Sequence, residues 1–246
     1  MRNLFATLGV ALAIGTSGCA NADPIDKAEV EEIVRAYLLE NPEILREMSI
    51  ALQEKETEQE RALTVAAIQD LDDRITGDVR DIAIGPKDAK VTLVEFFDYN
   101  CGYCKTSTEW IRSVIDEHPE DVRVVFKEIP VLDRGRAEGS SRNAARAALA
   151  AARQGKYPVM HFSLMNERAL TPDRIEKIAE AAGLDMDKFK EDLKDPKLDE
   201  HINDNLRLAQ EIPALSGTPF FIINDQFRSG ADIRALQAML EDELDS

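Results

Sequence analysis

The chain has 246 residues and a formal net charge of -17 at pH 7, with carboxylates spread along nearly its whole length. This length suits one catalytic domain with an accessory segment. The negative charge disfavours nucleic acid and anionic membrane surfaces as partners, because their phosphates would be repelled. The composition therefore predicts a globular protein that has no nucleic-acid partner.

Residues 1–22 are predicted to be a signal peptide. Arg2 supplies a positive charge, and the apolar stretch at 4–14 is too short to span a bilayer comfortably. Two cleavage sites fit the sequence. One lies after Ala22 and is slightly favoured; the other precedes Cys19, whose lipidation would anchor the protein to a membrane. In both cases we expect an exported, periplasmic protein.

Residues 23–77 are predicted to form an N-terminal helical region, since they contain almost no glycine and consist of helix formers. Pro42 suits the first turn of a second helix. The apolar residues of the first helix share one face: Val30, Ile33, Val34, Tyr37 and Leu38. Two interpretations stay open for this arm. It either packs on its own catalytic domain or is buried against other subunits, giving a homo-oligomer through residues 26–53.

From residue 78 onwards the pattern predicts an α/β domain. Strands are expected at 82–84, 91–97 and 122–126, with a helix at 103–118 between the last two. The second strand is a nearly continuous apolar run, which is typical of a sheet buried on both faces. A β-α-β order predicts parallel pairing through a right-handed crossover.

Residues 138–211 are predicted to be an inserted helical layer, because the signal is helical throughout. The chain then returns to strands and ends in a helix. These elements are expected at 218–223 and 226–228, joined by a turn at 224–225, and at 231–244.

The motif Cys101-Gly102-Tyr103-Cys104 carries the predicted chemistry. The loop between its cysteines is too short for a disulfide to stabilise the fold much, so reactivity explains the pair better. At a helix start, Cys101 would lie near free backbone N–H groups that favour its thiolate, and Cys104 would be buried one turn later. The pair is therefore predicted to form a redox disulfide, with Gly102 and Tyr103 tuning the ionisation of Cys101.

A Cys-x-x-Cys motif can also supply half of the ligands of a zinc or copper site. The other half is missing, since His118, His161 and His201 lack metal-ligand spacing and are each expected to be surface or helix-packing residues. We expect no metal and no cofactor. One alternative stays open: a periplasmic copper-binding or copper-tolerance protein that holds Cu(I) with Cys101 and Cys104.

Thr218-Pro219 precedes a predicted strand, where a cis proline would present the Thr218 backbone to a substrate peptide. An ordinary trans proline at a strand start is the alternative.

Glu95 lies inside the apolar strand at 91–97, six residues before Cys101. If it is buried near Cys104, its pKa would be raised and it would exchange a proton with that thiol. Exposure at a strand edge is the alternative. Asp98 and Lys105 are expected to be solvated.

At these residues the chain resembles the DsbA family of thioredoxin-fold proteins, especially the branch of the copper-sensitivity suppressor ScsC. The stretch at 94–104, VEFFDYNCGYC, is similar to the active-site signature of that branch. Residues 217–219, GTP, resemble its cis-proline loop, and residues 37–42, YLLENP, resemble its N-terminal helical region. The resemblance implies a thioredoxin fold with an inserted helical domain at 78–246, preceded by the N-terminal arm.

The resemblance also implies roles for single residues. Cys101 would be the nucleophile, Cys104 the resolving thiol, Pro219 the cis residue and Glu95 the buried acid. Thr218, Gly102 and Tyr103 would contact the substrate. The implied partners are exported proteins with thiols or disulfides and a membrane or periplasmic redox partner. Some relatives oligomerise through this arm and act as isomerases or reductases, so the direction of the reaction stays open.

Overall fold

The computed structural model describes residues 26–246. The predicted signal peptide at 1–22, with Cys19 and both cleavage sites, lies outside the described residues. By its internal contacts the chain divides into two units, the first ending at Glu54 and the second beginning at Lys55. Each unit is described by itself.

The N-terminal unit is helical, as the sequence predicts. Helix α1 (Lys27–Glu40) begins after Asp26, whose side chain accepts a hydrogen bond from the Ala28 amide, and α2 (Glu43–Asp70) begins just after Pro42. No residue from 26 to 54 is buried. The exposed large apolar residues of this unit are Val30, Ile33, Val34, Tyr37, Leu39, Leu45, Met48, Ile50 and Leu52.

A five-stranded sheet forms the centre of the second unit. Its strands are β1 (Ile82–Ile84), β2 (Val91–Phe97), β3 (Val122–Glu128), β4 (Phe220–Ile223) and β5 (Gln226–Ser229), in the order β1-β3-β2-β4-β5. Helix α4 (Gly102–Glu117) connects β2 to β3, which pair in parallel, whereas the other pairs are antiparallel. The predicted β-α-β unit and the terminal hairpin are therefore confirmed.

Seven further helices belong to this unit. They are α3 (Asp72–Ile75), α5 (Ser140–Ala152), α6 (Tyr157–Met165), α7 (Pro172–Ala181), α8 (Met186–Asp192), α9 (Pro196–Gln210) and α10 (Ile233–Asp245). Helices α5 to α9 lie between β3 and β4 in the chain and are the predicted helical insertion. The whole is an α/β thioredoxin fold with inserted helices.

Both faces of the sheet are covered, because side chains alternate along each strand. Leu93 and Phe97 belong to a buried cluster with residues of α4 to α10. Val94 and Phe96 belong to a second cluster, with Ile68 of α2 among its members. Strand β2 is thus central and buried on both faces, and its C-terminal end leads directly into α4. Within residues 26–246, no helix has both the length and the apolar character needed to cross a membrane.

Candidate active site

Cys101 is the N-cap of α4. Its Sγ accepts a hydrogen bond from the Cys104 amide at 3.3 Å, and both cysteines are free thiols in the structure. Cys101 keeps 6% of its surface exposed, whereas Cys104 is fully buried. Free N–H groups and the positive end of the helix dipole stabilise a negative charge on Cys101.

The two thiols differ strongly in acidity. Hydrogen bonding to the Cys104 side chain is the largest cause that lowers the pKa of Cys101, to about 6, and it outweighs the opposing effect of burial. Burial raises the pKa of Cys104 far above its ordinary value, and the hydrogen bond to Cys101 and the charge of Glu95 raise it further. At neutral pH, Cys101 is therefore mainly a thiolate and Cys104 a thiol.

The loop before β4 lies against Cys101. The carbonyl oxygen of Thr218 is 3.2 Å from the Cys101 Sγ, and the Thr218–Pro219 peptide bond is cis. The trans alternative is therefore wrong. Gly102 and Tyr103 lie on the solvent side of the motif, with 71% of Tyr103 exposed. The structure thus brings these predicted residues together around one sulfur atom.

Glu95 is fully buried in the central strand, so the edge-exposure alternative is wrong. Its neighbours in register are Phe126 on β3 and Phe221 on β4. Burial raises the pKa of Glu95 to about 8, against a hydrogen bond from Ser107 that lowers it. A carboxyl group that titrates near neutral pH beside a thiol has the acidity that proton transfer requires.

The expectation that Asp98 is solvated is wrong. Asp98 is 1% exposed and accepts hydrogen bonds from the amides of Asn100 and Leu132, at 2.7 and 2.9 Å, and from the Ser141 hydroxyl at 2.6 Å. Burial is the largest cause that raises its pKa. This carboxylate therefore ties the segment before Cys101 to the start of α5.

Lys105 is half-buried, so the expectation that it is solvated is only partly met. Its ammonium group donates to the backbone carbonyl of Glu167, and burial lowers its pKa. The side chain links α4 to the chain just after α6.

Ser107 and Ser141 are site residues that the sequence reasoning missed. Ser107 is three residues after Cys104, and this helical spacing is a signal that would have placed both on one face of α4. Ser141 is 43 residues from Asp98 in the chain, so no local pattern indicates their contact.

His118 and His161 fit the predicted packing roles. His118 is the C-cap of α4, and its backbone N–H donates to the Val114 carbonyl. His161 is buried, with its Nδ1 3.0 Å from the Tyr99 hydroxyl, and burial lowers its pKa to about 3.

His201 differs, because it lies with Asp78 and Asp81 in a group whose ligand atoms are all within 4.8 Å of one another. Lys127 donates to Asp81, and Arg80 donates to Asp78. Since each carboxylate already has a cationic partner, the group is explained as an ion-pair network.

Two family models match the chain. The model of the DSBA-like thioredoxin domain matches residues 92–242, and that of the copper resistance protein ScsC N-terminal domain matches residues 26–59.

Among solved structures, a linker-deletion variant of Proteus mirabilis ScsC is 29% identical, with a TM-score of 0.66, and the match covers 92% of this chain and 99% of that one. A periplasmic thioredoxin-like protein from Salmonella enterica serovar Typhimurium is 32% identical, with a TM-score of 0.61 and coverage of 72% and 97%.

The curated relatives are much longer proteins. The Na(+)/H(+) antiporter NhaA 3 of Salinispora tropica is 34% identical over 161 residues, which are 65% of this chain and 24% of that protein. The chain thus spans about a quarter of the length of the curated relatives that it matches first. Since the DSBA-like match covers more than half of the residues, the chain belongs to the DSBA-like thioredoxin domain family and has an ScsC-like N-terminal region.

Proposed function

We propose that this protein is a periplasmic thiol–disulfide oxidoreductase or isomerase that acts on exported proteins through Cys101 and Cys104. The proposal is carried by one observation: the Cys101 Sγ caps α4, 3.3 Å from the Cys104 amide nitrogen. Its pKa, lowered to about 6 by hydrogen bonding to Cys104, makes it a thiolate at neutral pH. A thiolate is the species that attacks a disulfide.

In the reducing direction, the Cys101 thiolate attacks one sulfur of a substrate disulfide and forms a mixed disulfide, and the other substrate sulfur leaves as a thiolate. Cys104 then loses its proton and attacks the Cys101 Sγ. The product is a Cys101–Cys104 disulfide and a second substrate thiolate, so two electrons have passed to the substrate. The reverse sequence oxidises a substrate, and isomerisation returns the protein to its starting state.

Glu95 is the group that we assign to the Cys104 proton. Both are fully buried, and the charge of Glu95 contributes to the raised pKa of Cys104. With a pKa raised by burial to about 8, Glu95 takes up and releases a proton near neutral pH.

The substrate is proposed to bind over the exposed side of the motif. Tyr103 and Gly102 are exposed there, and Thr218 and Pro219 border Cys101 from the other side. The backbone carbonyl of Thr218 lies close to the sulfur, and extended peptides are bound through main-chain hydrogen bonds. An extended peptide is therefore the proposed substrate.

Export to the periplasm is supported by the predicted signal peptide at 1–22 and by the similarity to the periplasmic thioredoxin-like protein from Salmonella enterica. The substrates proposed on this basis are exported proteins with thiols or disulfides. A membrane or periplasmic redox partner would reset the cysteines after each turnover.

We further propose a homo-oligomer through residues 26–53. The exposed apolar side chains of this unit lie at helical spacing, with Ile33 59% exposed, and such a stripe is costly unless a partner covers it. A second copy of the chain would supply the same apolar stripe, and the two stripes would cover each other.

Copper handling is the second candidate. Cys101 and Cys104 are two free thiols and would suit Cu(I), a soft ion. The copper-resistance family model matches residues 26–59, which contain no cysteine. This second function therefore depends on the same two thiols as the first.

The test compares the wild-type protein with Cys101→Ala on scrambled ribonuclease, with the protein supplied reduced and no other thiol present. We expect wild type to restore ribonuclease activity and Cys101→Ala to lose the effect by on the order of a thousandfold or more. Cys104→Ala is the matched variant, and it should accumulate a mixed disulfide, seen by mass spectrometry.

Other results would change the assignment. Oxidation of reduced ribonuclease without recovery of the scrambled form would indicate an oxidase. Inactivity in both assays, together with Cu(I) binding that Cys101→Ala abolishes, would favour copper handling.

A further inference from the structure

Glu95 has only one hydrogen-bonding partner for its carboxyl group among residues 26–246. The Ser107 hydroxyl lies 3.2 Å from its Oε1, and its Oε2 is buried without a partner. Buried polar groups normally have hydrogen-bonding partners, and an unpaired one is costly. Among residues 26–246, Ser107 is therefore the only side chain that hydrogen-bonds to this carboxyl group.

Ser107 contacts both the Glu95 carboxylate and the backbone of the resolving cysteine. It is fully buried on α4, one turn after Cys104, and its Oγ is 2.9 Å from the Cys104 carbonyl oxygen and 3.4 Å from that of Tyr103. A hydroxyl group has one proton to donate and two lone pairs that accept. It can therefore serve a carboxyl group in either protonation state.

When Glu95 is protonated, its O–H can donate to the Ser107 Oγ, while the Ser107 hydroxyl donates to the Cys104 carbonyl. When Glu95 is ionised, the Ser107 hydroxyl can turn and donate to the carboxylate. No backbone movement is needed, because both acceptors are already within reach of one oxygen.

We propose that Ser107 is a positioning residue that keeps the Glu95 carboxyl group directed at Cys104 before and after proton transfer. This inference rests on the proposed role of Glu95 in thiol–disulfide exchange. The hydrogen bond from Ser107 also lowers the pKa of Glu95, against burial. Without it, a smaller fraction of Glu95 would be ionised at neutral pH.

The other groups that face Glu95 show what else can influence its ionisation. Cys101 and Cys104 on α4 are electrostatic neighbours, and Tyr99, which follows β2, also senses its charge. The register neighbours on β3 and β4 are Phe126 and Phe221, which carry no charge. The described residues thus offer Glu95 no cation in place of Ser107.

The ordinary structural explanation is that a serine inside a helix donates to a carbonyl one turn back. Thr108 does this on the same helix: its hydroxyl donates to the Cys104 carbonyl at 2.9 Å, and it is 2% exposed. Since Thr108 makes this bond and no hydrogen bond to Glu95, Thr108→Ala is the matched control.

The test follows the reduced full-length protein as it reacts with an aromatic disulfide that releases a coloured thiolate. Attack by Cys101 releases one thiolate and forms a mixed disulfide. Attack by Cys104 on Cys101 releases the second thiolate and closes the protein disulfide, while the Cys104 proton passes to Glu95. The first phase reports on Cys101 and the second on Cys104.

We expect Ser107→Ala to slow the second phase about tenfold at pH 7, to move the midpoint of its pH profile upward, and to leave the first phase within about twofold. Ser107→Thr retains the hydroxyl and should restore the profile. Thr108→Ala should leave both phases within about twofold of wild type. The inference would be overturned if Ser107→Ala slowed the second phase by the same factor at every pH. It would also be overturned if Ser107→Ala and Thr108→Ala slowed that phase equally.

Failure of the proposed function looks different. If wild type shows no second phase, or if Glu95→Gln retains the pH profile, then Glu95 does not move the proton and the role of Ser107 falls with it. Should Ser107→Ala also lose the first phase because it does not fold, the infrared carboxyl band of Glu95 in wild type, identified by its absence in Glu95→Gln, gives the answer. A hydrogen-bonded frequency supports the inference, and a free carboxyl frequency overturns it.

Discussion

The N-terminal unit exposes apolar side chains, whereas the second unit buries carboxyl groups. Ile33 and Leu45 are more than half exposed, while Glu95 and Glu128 are at most 1% exposed. Both arrangements cost free energy, because water disfavours apolar surface and a protein interior disfavours charge. Features that cost stability are expected where a protein binds or reacts, so the two regions indicate two different tasks.

The buried carboxyl groups are themselves unlike one another. Asp98 accepts three hydrogen bonds, and Glu128 accepts one from the Tyr157 hydroxyl at 2.6 Å. Glu95 has only Ser107, at 3.2 Å. Burial raises the pKa of Glu95 to about 8 and that of Glu128 to about 7. Glu95 and Glu128 each have one oxygen buried without a partner, but only Glu95 has the active-site thiols as electrostatic neighbours, which is where a mobile proton is useful.

Glu95→Gln should have the largest effect on stability. The pKa of Glu95 is raised from 4.5 to about 8 in the folded protein, so the folded state binds the proton more tightly than the unfolded state. Its contribution to stability is complete below pH 4.5 and is lost as the pH rises to 8. Glutamine cannot ionise, so we expect the variant to gain on the order of 4 kcal/mol over wild type at pH 8 and almost nothing at pH 4.5.

Urea unfolding of both proteins across this pH range measures the difference. The comparison with wild type removes the contribution of Glu128, which is present in both proteins. If the difference in the free energy of unfolding stays constant with pH, burial does not hold Glu95 neutral. The contrast between the two regions would then not hold for the buried carboxyl groups.

Ile33→Glu tests the other side of the comparison. A charge in the centre of the apolar stripe should weaken self-association about a hundredfold, since it removes buried apolar area and adds repulsion in a chain that is already acidic. Glutamate is a good helix former, so the helix itself should persist. Light scattering over a range of concentrations measures the association, and the rate of disulfide exchange at Cys101 should not change.

Leu39→Glu is the matched control for this variant. Leu39 is on the same helix and is 71% exposed, but at helical spacing it lies outside the stripe of Val30, Ile33, Val34 and Tyr37. We expect it to associate as wild type does. Equal effects of the two variants, or a wild-type protein that is monomeric at every concentration, would contradict the proposed oligomer.

The order of helices and strands followed from the sequence because each depends on local patterns. Strand β2 was predicted with its observed bounds, since the polar residues at 98 and 100 mark the end of the apolar run. The start of α5 shows the limit of this reasoning. This helix begins at Ser140, where the Asp133 carboxylate accepts hydrogen bonds from the amides of Ser141 and Arg142, and no local pattern indicates this contact.

The same difference explains what was missed in the site. Cys101, Cys104 and Glu95 stand within ten residues of each other on a strand and the helix that follows, so their proximity could be predicted. Asp98 looked like a solvated loop residue, because the serine that covers it comes 43 positions later. Contacts between distant segments set its burial, and one sequence does not reveal them.

Ser141→Ala should have the smallest of these effects and would show whether the buried carboxyl groups are all functional. Its hydroxyl donates to Asp98 at 2.6 Å, and its loss should lower the free energy of unfolding by about 1.5 kcal/mol at pH 7. The bond favours the ionised form of Asp98, so the loss should shrink at low pH, where Asp98 is protonated. Ser140→Ala is the control, since the Ser140 hydroxyl accepts a hydrogen bond from Asn100 and, within the described residues, makes none to Asp98. If urea unfolding does not distinguish the two variants, Asp98 is held by backbone amides alone. If the rate of disulfide exchange is unchanged in both variants, Asp98 serves the fold and Glu95 is the reactive acid.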